Sequence, residues 1–329
     1  AFAIALQPDG KILQGGTAYT GSRDFALARY HSDGTLDNSF GVNGKVTTDI
    51  NGTDRAYAVA VQPDGKILLG GQEFTNNYFA LVRYNADGTL DDAFGTNGIV
   101  TTDFGGTSRI WSLAVQPDGK ILAGGENKVS RTTYFAIARY NSNGSLDIGF
   151  TSDGKVTYNV NPSQVDFVGR DIYLQPDGKI LMVGTDDTGF GSFGTVIRLN
   201  TNGSIDNTFD YYLFGDLGVG FYDYGIPAST RKTAHAIAMQ PDGSIVLAGS
   251  ADLTVTTSVV TRLVNDATLG FLAPHSFQFN DVTDAPQSAV MTSEQITISG
   301  LREDLLAEAN TVPMGVGGGE YAVNSDAYT

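Results

Sequence analysis

The 329-residue chain contains no cysteine. Disulfides, thiol nucleophiles and cysteine-ligated zinc are therefore excluded. Positive charge is also scarce, with 20 Lys and Arg against 36 Asp and Glu and a formal net charge of −16. A surface this acidic repels nucleic acid and anionic membrane, so neither is an expected partner. No apolar run approaches the roughly 18 residues of a membrane-spanning helix. No secretory leader is readable, and the chain opens inside a strand pattern at Ala1–Leu6, so further chain is expected upstream. Only three histidines occur, His31, His235 and His275, too far apart in the repeat to form a metal cluster. No Ser-His-Asp order, phosphate loop or dinucleotide motif is present.

What the chain has instead is glycine, 41 of them, and a repeat. The phrase Gln-Pro-Asp-Gly begins at Gln7, Gln62, Gln116, Gln175 and Gln240. A period this long marks one supersecondary unit used as an array. In the second copy, Ala56–Val61 alternates small and large residues. Pro63-Asp64-Gly65 turns the chain and Lys66–Gly71 runs back. Phe79–Tyr84 is a third strand, Asn85-Ala86-Asp87-Gly88 turns again, and Gly98–Asp103 is a fourth. Four antiparallel strands per repeat is the size of one β-propeller blade, with the alanine-rich strand innermost. The expected class is all-β, a propeller of five recognisable four-stranded blades.

The pattern Leu-x-Pro-Asp-Gly-Lys-Ile-Leu, then Phe-Ala-x-x-Arg-Tyr-Asn-x-Asp-Gly-x-Leu-Asp, then Phe-Gly, resembles the delta-60 repeats of bacterial secreted and surface proteins. The second and third copies match it nearly throughout. The fourth has Arg198-Leu199 in place of Arg-Tyr, and the fifth has Asp266-Ala267 where the Asp-Gly turn should be. The resemblance covers residues 1–272. It implies a propeller, a secreted or cell-surface setting within a longer multidomain chain, and no catalytic residues.

The fifth copy shows three strands and no Val-Thr-Thr strand after Leu269-Gly270-Phe271. The ring is therefore expected to be open, its missing strand supplied from upstream of Ala1. Residues 273–329 read as a separate unit. Ser276–Phe279, Gln295–Ile298 and Tyr321–Asn324 alternate as short strands and resemble the start of a bacterial Ig-like sandwich, stopped part-way.

The distance from each Gln to the later Phe (Phe40, Phe94, Phe150, Phe209) is nearly constant. The distance from that Phe to the next Gln grows along the chain. Strand alternation puts the variable loops on one face and the uniform turns on the other. Binding to a protein or glycan is expected on the variable face.

Three groups there are candidates. The position five before each Gln holds Phe2, Tyr57, Trp111, Arg170 and His235, rings and cations that can stack on a sugar or hold an anion; the same residues would serve equally to pack the channel between blades. The acids Glu73, Glu126 and Asp186, with Asp252, follow the second strands and are the candidates for acid–base work on a glycosidic bond; a solvated rim is their plainer use. The stretch Asp210–Lys232 carries Tyr211, Tyr212, Tyr222 and Tyr224 and reads as a recognition arm or a lid.

Asn85-x-Asp87-Gly88-x-x-Asp91 echoes a calcium loop but lacks the terminal Glu, and Asn-Gly or Asp-Gly is also hairpin chemistry. Calcium is thus a weak expectation and no other cofactor is expected. Arg29, Arg83, Arg139, Arg198 and Arg262 recur in the third strand. Asp37, Asp91, Asp147 and Asp206 follow the first four of them eight residues on, which predicts one ion pair per blade. The leading functional expectation is a non-catalytic binding or display module. The alternative is a carbohydrate-active propeller enzyme, a glycosidase or lyase.

Overall fold

The computed structural model describes residues 1–159, 166–187, 192–209, 219–222, 232–252, 256–266 and 271–276. Blade 1 comprises β1 (Ala3–Leu6), β2 (Ile12–Tyr19), β3 (Arg23–Tyr30) and β4 (Lys45–Thr48). Blade 2 comprises β5 (Asp54–Val61), β6 (Ile67–Glu73), β7 (Tyr78–Tyr84) and β8 (Ile99–Thr102). Blade 3 has β9 (Thr107–Val115), β10 (Ile121–Val129), β11 (Thr132–Tyr140) and β12 (Lys155–Tyr158). Blade 4 has β13 (Asp166–Leu174), β14 (Ile180–Asp187), β15 (Ser192–Leu199) and β16 (Val219–Tyr222). Blade 5 has β17 (Lys232–Met239), β18 (Ile245–Asp252), β19 (Thr256–Asp266) and β20 (Phe271–Ser276). Within each blade the strands pair in sequence order, all antiparallel, and a single parallel bridge, Thr133 with Asp166, joins blades 3 and 4.

Two expectations change here. The fifth blade has its outer strand: β20 pairs with β19 from Asp266↔Phe271 to Thr261↔Ser276. The sequence reading missed it because it lacks the Val-Thr-Thr signature and carries Pro274. Proline is tolerated on an edge strand, where no partner needs its N–H. The expected boundary between residues 272 and 273 falls inside this strand, and residues 277–329, where the Ig-like reading lies, are outside the described residues. Likewise the stretch Asp210–Lys232 is not loop throughout, since Val219–Tyr222 is the outer strand of blade 4.

The cores lie between blades rather than within them. Leu13, Phe25, Leu27 and Phe40 of blade 1 pack on Ala56, Ile67, Leu69, Ala80, Val82 and Tyr84 of blade 2. Leu68, between Ile67 and Leu69, points the other way, into the core shared with Ile110, Ile121 and Ala136 of blade 3. Successive strand residues face opposite sides, so a strand buried on both faces reads as a continuous apolar run. Two more such cores join blades 3 and 4 and blades 4 and 5. Each blade is thus stabilised by its neighbours, as in other repeat arrays.

Polar staples reinforce these cores. Tyr84 Oη lies 2.7 Å from Thr48 Oγ1 of the preceding blade, and Tyr140 Oη lies 2.7 Å from Thr102 Oγ1. Burial pushes both phenols well above their ordinary pKa. The Pro-Asp-Gly turns are uniform: Gln62 N–H donates to Lys66 O at 2.8 Å, and Gly65 holds φ of 83°, a value that favours glycine.

Candidate functional site

In blades 2 to 5 the position five before the Gln is the extra residue of a β-bulge, while Phe2 of blade 1 precedes its strand. In blade 2 the β5–β6 register passes from Ala56↔Gly71 to Ala58↔Gly70, leaving Tyr57 unpaired. Trp111, Arg170 and His235 are skipped in the same way between β9 and β10, β13 and β14, and β17 and β18. The cause lies across the strand. A Cβ at Gly71 would sit 1.9 Å from Arg55 O, and one at Gly125 would sit 2.0 Å from Arg109 O. Only glycine permits that approach, and the bulged residue is re-aimed as a result.

The first strands of successive blades lie side by side, so the bulged residues meet. The Phe2 and Tyr57 ring centroids are 5.4 Å apart, and those of Tyr57 and Trp111 are 4.5 Å apart. The Arg170 guanidinium lies over Trp111 at 4.7 Å. His235 Nε2 is 2.8 Å from Thr233 Oγ1. Desolvation, then the charge of Arg170, holds its imidazole below the ordinary pKa. Asp171 fixes the neighbouring backbone. It accepts from Ser112 Oγ at 2.6 Å in blade 3 and from Ile237 N at 3.2 Å in blade 5.

The three acids do not share one position. Glu73 pairs across its strand with Asp54, and Asp186 with Phe167, at equivalent sites of their blades. Glu126 pairs with Arg109, one residue earlier, so its side chain leaves the opposite face of the strand. Glu73 accepts from the backbone N–H of Thr75 at 2.5 Å and of Asn76 at 3.0 and 3.1 Å, which closes the β6–β7 turn. Glu126 is buried, 3.1 Å from Arg109 Nε. Burial raises its pKa, against the opposing charges of Arg109 and Arg170. Arg109 in turn lies 5.6 Å from the Trp111 ring. Glu126 therefore belongs beside the aromatic group, while Glu73 serves a turn. The side chains of Asp186, Asp252 and Tyr222 are outside the described residues, as are Tyr211, Tyr212 and Tyr224.

On the opposite face the expected ion pairs are present in four blades. Arg29, Arg83, Arg139 and Arg198 donate Nε to Asp37, Asp91, Asp147 and Asp206 at 2.7–2.8 Å. The Arg262 side chain is outside the described residues. Each of the four guanidiniums also stacks on the crossover Phe, at 4.3 Å for Phe94. Three of them continue into the next blade: Arg29 to Ala86 O, Arg83 to Ser142 O, Arg139 to Thr201 O. Asp91 also takes Lys66 Nζ at 2.8 Å, and Asp87 Oδ1 takes Thr89 N and Oγ1. Asn85 Nδ2 donates to Thr89 and Leu90. In this structure the side chains of Asn85, Asp87 and Asp91 serve a hairpin turn that ends in an ion pair. A groove of about 440 Å³ on this face, between blades 2 and 3, is lined by Gln62, Lys66, Arg83 and Asp118 among others. Arg83 and Lys66 are already committed to Asp91.

One acidic group escaped the sequence reading. Asp24, Asp49 and Asp54 converge at the junction of blades 1 and 2, with one carboxylate oxygen each within 4.8 Å of the others, a set that could coordinate a metal. The available signal was a departure from the repeat. Asp24 stands where blades 2 and 3 have Tyr78 and Tyr134, and Asp54 where blades 3 and 4 have Ser108 and Phe167.

Four segments, 7–40, 62–94, 116–150 and 175–209, match the family model described as a domain of unknown function (DUF5122) beta-propeller. Each starts at a repeat Gln and ends at a crossover Phe. The fold is β-propeller-like. No curated protein matches the chain. Similar solved structures include the polysaccharide lyase Uly1, at 14% identity and TM-score 0.48, over 84% of this chain and 72% of that one. PorZ, a surface component of the type-IX secretion system of Porphyromonas gingivalis, matches at 11% and 0.45, over 83% of this chain and 34% of that one. The extracellular domains 1–2 of Drosophila Semaphorin 1b match at 11% and 0.41, over 83% and 64%. At these identities no activity passes from them to this chain. Among the described residues no helix is long and apolar enough to cross a membrane.

Proposed function

We propose that this chain is a propeller module of a secreted or cell-surface protein that binds carbohydrate at the mouth of its inner strands. One observation carries the reading: Phe2, Tyr57, Trp111 and Arg170, from four successive blades, form an unbroken run of stacked contacts. Aromatic faces of this kind take the C–H face of a sugar, and a guanidinium reads a carboxylate or sulfate in two-pronged fashion. Arg170 places a cation at this spot in a chain of net charge −16, which favours an acidic glycan. A glycan array probed with and without chelator tests it. Acidic glycans should be retained and Trp111→Ala should lose them. An array with no positive spot would overturn the reading in favour of a structural spacer.

A second reading rests on Glu126. A buried carboxyl with raised pKa beside an indole and two arginines is suited to give a proton to a leaving oxygen. On that reading the module is a carbohydrate-active enzyme with Glu126 as acid. New reducing or unsaturated ends from an acidic polysaccharide, abolished by Glu126→Gln, would support it.

A further inference from the structure

The acidic trio at the first blade junction differs from ordinary surface acids in two ways. First, Asp54 is fully buried, and its Oδ1 has no hydrogen-bond partner. Its other oxygen takes Ile50 N at 2.8 Å and Asn51 N at 3.2 Å. A carboxylate oxygen cut off from water is costly unless something answers it. Among the described residues no basic side chain bonds it. The strongest charges acting on Asp54, Asp49 and Glu73, are themselves acidic. Second, the three carboxylates are held in place by separate elements. Asp24, at the start of β3, is fixed by the hydroxyls of Thr20 and Ser22. Asp49, just after β4, takes Gly52 N at 2.8 Å. Asp54 opens β5 in the next blade.

The repeat supplies an internal control. At the next junction Ser108 replaces Asp54, and its N–H and hydroxyl both bond Asn77 O, at 2.9 and 3.1 Å. Tyr78 replaces Asp24, and of the trio only the exposed acid persists, as Asp103. A junction without these buried carboxylates is thus available to this fold. At blades 1 and 2 it has been exchanged for three converging carboxylates, one of them buried and unanswered.

We infer that Asp24, Asp49 and Asp54 bind a calcium ion that ties blade 1 to blade 2 on the loop face. The donor set is all oxygen, which selects a hard cation. Carboxylate oxygens that converge this closely can share one ion; calcium accepts six to eight oxygens in flexible geometry, whereas magnesium demands a near-ideal octahedron and keeps most of its waters. The ion supplies the missing partner of Asp54 Oδ1 and relieves the repulsion among the three. It clamps the face opposite to the Arg–Asp staples, so the junction is held at both ends.

The test is thermal melting of chelator-stripped protein with calcium, magnesium or neither. Calcium near 1 mM should raise Tm by about 5 °C or more, with titration calorimetry giving one ion per chain, and magnesium should do much less. Asp54→Asn should abolish the shift. Asp49→Asn, an exposed change that leaves the fold intact, should cut calcium affinity about tenfold or more, and it decides the matter if Asp54→Asn does not fold. Absence of a calcium shift, an equal shift with magnesium, or an unchanged shift in Asp49→Asn would overturn the assignment. Because the readouts are melting and metal stoichiometry, the result is independent of whether any glycan binds.

Discussion

Arg83 Nε donates to Asp91 Oδ2 at 2.7 Å, and the same guanidinium reaches Ser142 O in the next blade. One side chain therefore holds the crossover of its own blade and grips the turn of its neighbour. Lys66 shares the carboxylate and Phe94 carries the guanidinium face. The unit repeats in blades 1 and 4 with small changes, and nearly identically in blade 3.

Arg83→Met should destabilise the protein by about 3 kcal/mol, because it leaves a buried carboxylate short of its partner and frees a carbonyl. Urea unfolding measures this as a lower midpoint. Glycan binding on the opposite face should not change in the folded fraction.

The four Asp partners also set an acid limit. The Ser39 hydroxyl and backbone N–H, with Arg29, hold the Asp37 carboxyl down to about 2 against its burial. Asp91, Asp147 and Asp206 are likewise lowered: burial raises them, but their lysine, arginine and amide partners outweigh it. A depressed pKa contributes stability that is full above the unfolded-state value and is lost as pH falls through the folded one. Unfolding midpoints should therefore hold down to about pH 4 and drop steeply between about pH 4 and 2. A flat profile across that window would contradict the assignment.

Gly125→Ala should be costly although it adds one methyl group. The new Cβ would meet Arg109 O at 2.0 Å, and backbone cannot yield there without undoing the bulge that presents Trp111. A loss of about 2–3 kcal/mol is expected, together with a changed Trp111 fluorescence maximum. Since Trp111 is the only tryptophan, that emission reports the site directly.

Tyr140→Phe removes the buried hydrogen bond to Thr102 and leaves the Thr102 hydroxyl unanswered. A loss of about 1–2 kcal/mol is expected. Thr102→Val combined with Tyr140→Phe should recover part of it, which a double-mutant cycle would read.

Much of this was legible in the sequence, and the reasons are local. The turns follow from Pro-Asp-Gly. The Arg–Asp pairs follow from an eight-residue spacing across a tight crossover, and the inner strands from small-large alternation. The offset of Glu126 from Glu73 was also readable, by counting from the double glycine: Gly71-Gln72-Glu73 against Gly125-Glu126-Asn127. The outer strand Phe271–Ser276 was not, because it lacks the repeat's signature and is defined by its partner, β19.

The sequence by itself determined the repeat, the strand count of each typical blade and the face on which variation collects, since all three depend on residues close along the chain. Only the tertiary structure decided that Tyr57, Trp111 and Arg170 occupy bulges and touch, and that Asp24 and Asp54 share a site across a blade junction. Those contacts join residues of different repeats. Their distances are set by how whole blades pack through shared apolar cores, and no local pattern encodes that packing.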